Sequence, residues 1–310
     1  MVVGFGKAMQ NSHMLSADLM GSILVTGASG QIGSETCRVL RTGRRVILPI
    51  DVESDAAAGI LACDLTLKDE LSRLFQLHRI QSVIHLAGLL PSAFRSDPLR
   101  GAEVNLSGSF ELMRQALNSS VRRFVFASSM SVYGSSPSAR PLTEHDPATP
   151  DEPYGASKRA VELVGETLAV GRAMEFVSLR IARVIGPGIK KTASPWRSRI
   201  FEPLRGAAIQ IPFAPEAMLS LVHVEDVARM LVVLADTNEV GSSVYNTPAE
   251  VWQARDLKRL IEESVGSPVE LAHDRALVGP TCDGGRFVGK FGFKLQGLRE
   301  RLSGREVNKD

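Results

Sequence analysis

Short apolar runs alternate with helix-forming stretches through the first 180 residues, and this rhythm constrains the fold more than any other feature. Ile23–Thr26, Val46–Ile50, Val83–Leu86, Phe124–Ala127 and Phe176–Arg180 are short, bounded by turn residues, and read as buried strands. Helical stretches fall between them at 32–42, 67–79, 98–119 and 154–171. Strict alternation predicts an α/β fold: a parallel sheet covered by helices on both faces and joined by right-handed crossovers. Such a sheet binds its ligands beyond the carboxyl ends of the strands.

The first strand runs into "TGASGQIGSE", where Gly27, Gly30 and Gly33 recur at intervals of three. Glycines at a strand-to-helix turn allow positive φ and let a ligand approach the backbone. The helix that opens near Ile32 offers unpaired N–H groups and a positive dipole end, which suit a phosphate. A glycine triplet alone is weak evidence, and its meaning depends on the residues later in the chain.

A chain of 310 residues supports one large domain or two moderate ones. Its net charge of +2 makes no electrostatic case for nucleic acid or an anionic membrane. Cys37, Cys63 and Cys282 lie far apart, which fits a reducing, cytoplasmic compartment and neither a disulfide framework nor a metal site. No apolar run approaches the length of a membrane span. Residues 1–21 lack the apolar stretch of a signal peptide and read as a disordered extension, with Met20 as an alternative start.

After Arg180 the rhythm breaks. Residues 186–219 are rich in Pro, Lys and Arg; "LSLVHVEDVARMLVVLA" then reads as a strand and a helix, with Asp226 as the candidate cap. The expected organisation is a nucleotide-binding unit over 22–182 plus 219–248. A smaller lobe, over 183–218 plus 249–310, would close on the ligand end of the sheet.

In "YGASK", Tyr154 and Lys158 stand four apart, on one face of a helix. A lysine ammonium about 4 Å from a phenol, at an effective dielectric of about 20, favours the phenolate by about 4 kcal/mol. That would make the phenol a usable base near neutral pH. By itself the pair reads more readily as surface residues of an amphipathic helix. In "FVFASSMSVYG" a strand delivers Ser128 and Ser129 to the carboxyl edge, where one hydroxyl is expected to meet a substrate oxygen. Serines after a strand are also ordinary turn residues.

Together, the glycine turn, the strand-end serine and the YxxxK helix resemble the extended short-chain dehydrogenase/reductase family, the NAD-dependent epimerase/dehydratase group. "CDLTLKDEL", "VIHLAG", "EVNLSGSFELM", "RIARVIGPG" and "LVHVEDVA" extend the resemblance from Ser22 to about Leu302. It implies a Rossmann-type, doubly wound parallel sheet with a smaller C-terminal substrate-binding lobe, and a homodimer built on the helices near 98–119 and 154–171. Val161, Val164 and Leu168 form one face of the second helix, open to a partner or to its own sheet. By position, Gly27, Gly30 and Gly33 would cradle the pyrophosphate, with Gln31 and Ile32 against it. Asp64 and Leu65 would meet the adenine, and Ala87 and Gly88 the nicotinamide ribose, while Asn105 orders the active-site helix. Ser129, Tyr154 and Lys158 would be catalytic, with Lys158 also on the ribose hydroxyls. Asp51, at the end of the second strand, would hold the adenosine ribose and repel a 2′-phosphate, which favours NAD over NADP. His85 and His223, each inside a strand, read as structural, and no metal is expected.

The departures from the family bear on substrate. Met130 and Ser131 stand where sugar-nucleotide dehydratases carry an Asp–Glu pair. Arg183 replaces an Asn, and Leu219 replaces an Arg, that help hold the diphosphate in nucleotide-sugar epimerases. These changes imply a substrate without a nucleotide: a free sugar, a sugar acid or a small hydroxy acid. Lys190, Lys191, Arg197 and Arg199 are candidates to hold a carboxylate, or else form a solvated loop face, and Trp196 either walls the pocket or fills the lobe core. Three functions are thereby in view: a dehydrogenase of a small polar substrate, an epimerase using the same residues, and a dinucleotide-sensing protein without turnover.

Overall fold

The computed structural model describes residues 21–135, 138, 140–188, 194–273 and 279–303, so the N-terminal extension lies outside the described residues except for Gly21. Its strands are β1 (Ser22–Thr26), β2 (Ile47–Asp51), β3 (Leu61–Ala62), β4 (Ile80–His85), β5 (Arg123–Ser129) and β6 (Glu175–Ile181). They continue with β7 (Arg183–Ile185), β8 (Ile209–Ile211), β9 (Met218–His223), β10 (Val244–Asn246), β11 (Glu250–Gln253) and β12 (Val269–Leu271). The principal helices are α1 (Gln31–Thr42), α2 (Lys68–Leu77), α3 (Ser109–Asn118), α4 (Pro153–Ala169), α5 (Val224–Asp236) and α6 (Ala254–Val265).

Seven strands form one parallel sheet in the order β10-β6-β5-β4-β1-β2-β3. The chain builds outward from β1 through β2 and β3, then crosses to β4 on the other side of β1. That reversal opens a crevice at the carboxyl ends of β1 and β4. The glycine turn leaves β1 at this point, and the loop after β4 faces it.

The continuous apolar runs are what a sheet covered on both faces requires. Val25, Ile84, Val125 and Leu179 face one core, closed by Cys37 and Leu40 of α1 and by Val227, Leu231 and Leu234 of α5. Leu24, Val83, Phe124 and Phe176 face the other, closed by residues of α2, α3 and α4. The face of α4 that carries Val161, Val164 and Leu168 packs into this second core, so it serves the protein's own sheet.

A third core belongs to the C-terminal lobe, where β11-β9-β7 and β12-β8 form two small sheets beside α6. Trp196, Phe213, Leu219 and Leu221 pack there. Within 219–248, β9 thus joins a lobe sheet, whereas α5 and β10 join the main layers.

Two local expectations change. The helix expected over 98–119 is interrupted: Pro98–Ala102 is α-helical, Glu103–Gly108 is a π-helical turn, and α3 comes next. Such wide turns re-aim side chains and recur at functional sites, and this one carries Asn105. The cap of α5 is His223, whose Nδ1 accepts from the Glu225 N–H at 3.3 Å; Asp226 instead pairs with Arg229 and Arg301. Capping needs a side chain that reaches back from the residue before the helix, and Asp226 already lies inside the first turn.

Burial pushes the thiols of Cys37 and Cys63 up to about 11 and that of Cys282 to about 12, so none is poised as a nucleophile. Among the described residues no cluster of His, Cys, Asp or Glu has the makings of a metal site, and no helix is long and apolar enough to cross a membrane.

Candidate active site

The three glycines of the turn have three different reasons. Gly27 has φ of +67°, and a Cβ there would lie 2.8 Å from the Ala87 nitrogen. A Cβ on Gly33 would sit 2.0 Å from the Gly27 carbonyl oxygen, so Gly33 lets α1 press against the turn. Gly30 has ordinary φ of −70° and is exposed at the head of α1; a Cβ there would meet only the Gly27 oxygen, at 3.2 Å. Nothing within the fold demands glycine at that place, but a ligand approaching the first-turn N–H groups of α1 would. This is the division of labour that a bound pyrophosphate asks of such a turn.

Across the crevice, a buried polar relay shapes the loop after β4. The Thr26 hydroxyl oxygen accepts from the Leu86 and Ala87 N–H groups, each at 3.1 Å. Its own proton is therefore directed to His85 Nδ1, 2.7 Å away. That assignment leaves the imidazole proton on Nε2, facing the Ser109 hydroxyl at 2.9 Å, which donates in turn to the Asn105 carbonyl at 2.7 Å. His85 is fully buried; burial first, and Lys158 second, hold it down to about 3, so it stays neutral. It is a strut between β1 and the π-helical turn. The Asn105 amide clamps the same loop, accepting from the Leu89 N–H at 2.7 Å and donating to the Leu89 carbonyl at 3.0 Å. Ala87 and Gly88 are thus pinned from both sides.

The remaining nucleotide-site candidates line the same crevice or approach it. Asp51 ends β2 with one carboxylate oxygen accepting from the Ser29 N–H at 2.9 Å and the other from Val52 at 2.8 Å, which holds it against the glycine turn. Asp64 is engaged by Thr66 and by Arg100 at 3.3 Å, and the Leu65 side chain is buried in the core. Ile32 packs on the core beside the turn, whereas Gln31 reaches outward and donates to the carbonyls of Gly186 and Pro187, both at 2.9 Å. The glycine turn is thereby tied to the segment just past β7.

Ser128 and Ser129, adjacent on β5, face opposite ways. Ser128 is buried and donates to Glu162 at 2.6 Å; Glu162 in turn receives both ends of the Arg180 guanidinium, at 3.0 and 2.8 Å. Arg180 continues to the Tyr133 hydroxyl at 2.8 Å, and Tyr133 to Asn246 at 2.8 Å. This buried network under the site was not singled out from the sequence, although Arg180 follows the apolar run of β6 and is a charge inside a buried strand. Ser129 accepts from the Ser131 N–H at 3.1 Å and meets the phenol of Tyr154, favouring its ionised form.

The expected pairing of Tyr154 with Lys158 is corrected. Lys158 Nζ lies 5.7 Å from the Tyr154 ring centre, donates to the Ala127 carbonyl at 2.9 Å and stands 4.7 Å over the Phe126 ring. Burial, the largest influence, outweighs Ser129 and Arg197 and pushes the Tyr154 phenol up to about 12, while burial also holds Lys158 down to about 8. Desolvation thus exceeds the Coulomb gain expected from spacing alone.

Of the basic candidates, Arg183 stands 4.7 Å over the Phe213 ring, with burial first and Arg197 second lowering its guanidinium, and Arg197 is lowered by burial and raised by Tyr154. Arg199 instead turns toward the Glu202 carbonyl at 3.5 Å, and Lys190 and Lys191 lie outside the described residues. Trp196 is 2% exposed, edge-on to Phe213, and belongs to the lobe core.

A family model for the NAD dependent epimerase/dehydratase family matches residues 23–247. The chain belongs to this family. A UDP-glucose 4-epimerase from Halalkalibacterium halodurans is 32% identical over 173 residues, 53% of this chain and 51% of that protein. The chain spans about half the length of the curated relatives it matches. Among solved structures, MoeE5 in complex with UDP-glucuronic acid and NAD superimposes with a TM-score of 0.79 at 30% identity, covering 91% of this chain and 97% of that one. L-threonine dehydrogenase from Phytophthora infestans shares the fold, with a TM-score of 0.83 at 22% identity, covering 91% and 96%. NAD is the family's cofactor, and the exposed Gly30 between two sterically obligatory glycines is the feature of this chain that fits a dinucleotide.

Proposed function

We propose that this chain is an NAD-dependent dehydrogenase that oxidises a hydroxyl of a small polar substrate such as a sugar, sugar acid or hydroxy acid. The observation that supports this reading is the meeting of the Ser129 hydroxyl and the buried Tyr154 phenol at the carboxyl end of β5, beside the glycine crevice. Gly27, Gly30, Gly33, Gln31 and Ile32 would hold the pyrophosphate, and Asp51 the adenosine ribose. Asp64 and Leu65 would border the adenine, and Ala87, Gly88 and Lys158 the nicotinamide ribose. When bound, the dinucleotide supplies a hydride acceptor.

In this reading Ser129 orients the substrate oxygen, and Tyr154 takes the hydroxyl proton as hydride leaves the carbinol carbon, giving a carbonyl. Because the phenol is held up near 12, Tyr154 is a proton donor at neutral pH. Oxidation, which needs the phenolate as proton acceptor, therefore speeds up as pH rises. A cytoplasmic homodimer belongs to the same reading: Leu163 on the outer side of α4 is 48% exposed, which supports a partner there.

A second reading, a sugar epimerase, is favoured by the UDP-glucose 4-epimerases among the relatives. It uses the same residues and returns the hydride to the opposite face. Against its nucleotide-sugar form, Leu219 has 0% exposure within the lobe core and offers nothing to a diphosphate.

The test is to denature the purified protein and identify any nicotinamide nucleotide it releases, then assay the native enzyme and Tyr154→Phe. An empty site that takes up added NAD, with NADH formation lost in Tyr154→Phe, supports the dehydrogenase. Near-stoichiometric retained NAD, with Tyr154-dependent interconversion of UDP-glucose and UDP-galactose, supports the epimerase. Undiminished turnover in Tyr154→Phe overturns the catalytic assignment, and bound NADP overturns the role given to Asp51.

A further inference from the structure

We infer that Phe126 is a positioning residue of the proposed reaction: the face of its ring, beside the Ala127 carbonyl, fixes the buried Lys158 ammonium at the site and favours its charged form. That role rests on the dehydrogenase reading of the same site. It deepens that reading by a side chain outside the group of Ser129, Tyr154 and Lys158.

Phe126 and Ala127 are consecutive on β5, so one strand presents Lys158 with both a ring and a carbonyl. Lys158 Nζ stands 4.7 Å over the Phe126 ring centre and donates to the Ala127 carbonyl at 2.9 Å. The Tyr154 ring is farther off, its centre 5.7 Å away. Phe126 is 1% exposed, and its ring is boxed in by His85 at 5.7 Å and by Phe176, stacked at 6.4 Å. In register it lies between His85 of β4 and Ser178 of β6, in the interior of the sheet, so the ring cannot swing out to solvent. An ammonium has three N–H groups. With one on a carbonyl and one side against a fixed ring, Lys158 keeps a defined remaining direction in which to donate.

The surroundings give the ring its task. Lys158 is buried, and a buried ammonium is costly unless something favours its charge. On α4, Glu162 does favour it, but that carboxylate accepts from Ser128 at 2.6 Å, from Arg159 at 2.9 Å and from Arg180 of β6 at 3.0 and 2.8 Å. Its charge is thus shared with two guanidiniums. Tyr154, also on α4, stays neutral near pH 7 because burial pushes its phenol up to about 12, and His85 of β4 is neutral as well. In contact with the ammonium are a carbonyl oxygen and the electron-rich face of a ring. A cation over such a face is attracted by the ring's quadrupole, and the more so where water is excluded. An aliphatic side chain would fill the same space without that field.

The experiment replaces Phe126, in the full chain, by 4-fluoro-, 3,5-difluoro- and 3,4,5-trifluorophenylalanine, which weaken the ring's quadrupole in steps with little change of shape. Lys158 is read directly, by NMR titration of protein labelled with 13C at the lysine ε-carbon, its resonance assigned by its loss in Lys158→Met. The Lys158 midpoint, about 8 in the parent, should fall in the order of fluorination, by about one pH unit in the trifluoro protein. The same analogues at Phe124, whose ring meets His85 and Phe176, should leave that midpoint in place. An unmoved midpoint with every Phe126 analogue overturns the inference, because a ring that only fills space alters thermal stability and not the lysine. A rise, or an equal fall from Phe124, overturns it too. The monofluoro and difluoro proteins decide the matter if the trifluoro protein does not fold. Tyr154-dependent NADH formation with an unmoved Lys158 would sink the role of Phe126 and keep the dehydrogenase. A graded fall with turnover indifferent to Tyr154→Phe would do the reverse.

Discussion

The nucleotide end of the crevice and the arginine-bearing lobe beside it are built on different principles. At the nucleotide end, close backbone packing and a relay of neutral hydrogen bonds through Thr26, His85 and Ser109 hold the turn and the loop after β4. On the lobe side the polar groups are charged: burial lowers the guanidiniums of Arg183 and Arg197, and Arg183 stacks on Phe213 of an apolar core that also contains Leu219. The first arrangement relies on neutral groups, the second on charged ones. In the proposed reading the first region would hold the cofactor and the second would face the substrate.

The strongest way to break this contrast is Leu219→Arg, which restores the family's diphosphate-binding residue type. Leu219 is fully buried on β9, so the new charge has no route to solvent or ligand. The variant should lose more than about 4 kcal/mol and fail to accumulate as folded protein. A folded variant with gained affinity for UDP-glucose would show that the lobe can be a nucleotide-sugar site.

Next in size is Glu162→Ala, beneath both regions. It leaves the Arg180 guanidinium, 3% exposed, without its bidentate carboxylate, and should cost about 3–5 kcal/mol in denaturant unfolding. A loss under about 1 kcal/mol would mean that the network does not hold the strand ends.

Substitutions at two glycines sharpen the picture of the nucleotide end. Gly33→Ala, whose Cβ would collide with the Gly27 carbonyl, should destabilise by about 2–3 kcal/mol. Gly30→Ala should change stability by less than about 1 kcal/mol and instead weaken NAD binding, read by fluorescence titration. Equal effects of the two on stability would remove the argument that Gly30 answers to a ligand.

The smallest effect concerns Lys158. Its folded value, about 8, lies below the ordinary lysine value, so the native state is penalised at neutral pH, and the penalty fades as pH rises from about 8 to above 10. Lys158→Met should therefore be more stable than the parent at pH 7, by about 1–2 kcal/mol after losing its bond to Ala127, with less turnover. The gain should shrink as pH rises through that window. A pH-independent difference would place the penalty elsewhere.

Much of this protein is local and was legible in the chain. The five main strands stand where the apolar runs are, because a strand buried on both faces must be apolar throughout. The glycine turn was legible because positive φ and a backbone contact leave glycine as the residue that fits Gly27 and Gly33. β3 was not readable from apolar pattern, having two exposed residues held by backbone bonds to β2. The break at Glu103–Gly108 was invisible too, since a π-helical turn needs no special residue.

At the site, sequence brought Ser129, Tyr154 and Lys158 into one group, but burial set their chemistry. Ser128 and Ser129 are alike in sequence; the pleat of β5 sends one to Glu162 and the other to the phenol. Spacing put Lys158 on the Tyr154 face of α4, yet the Ala127 carbonyl holds its ammonium and desolvation raises the phenol. Arg183 and Arg197 are separated by a segment whose composition suggests only a basic loop. Their segments are joined by the Gly186 N–H to the Arg197 carbonyl, and Arg183 stacks on Phe213, contacts that exist only in the folded chain. Sequence alone determined the sheet, the cofactor turn and the residue types available for chemistry, because these arise from periodicity and backbone freedom over a few residues. Tertiary structure decided which hydroxyl faces the site, which cations gather there and what charge each carries, because desolvation and long-range contact have no local signature.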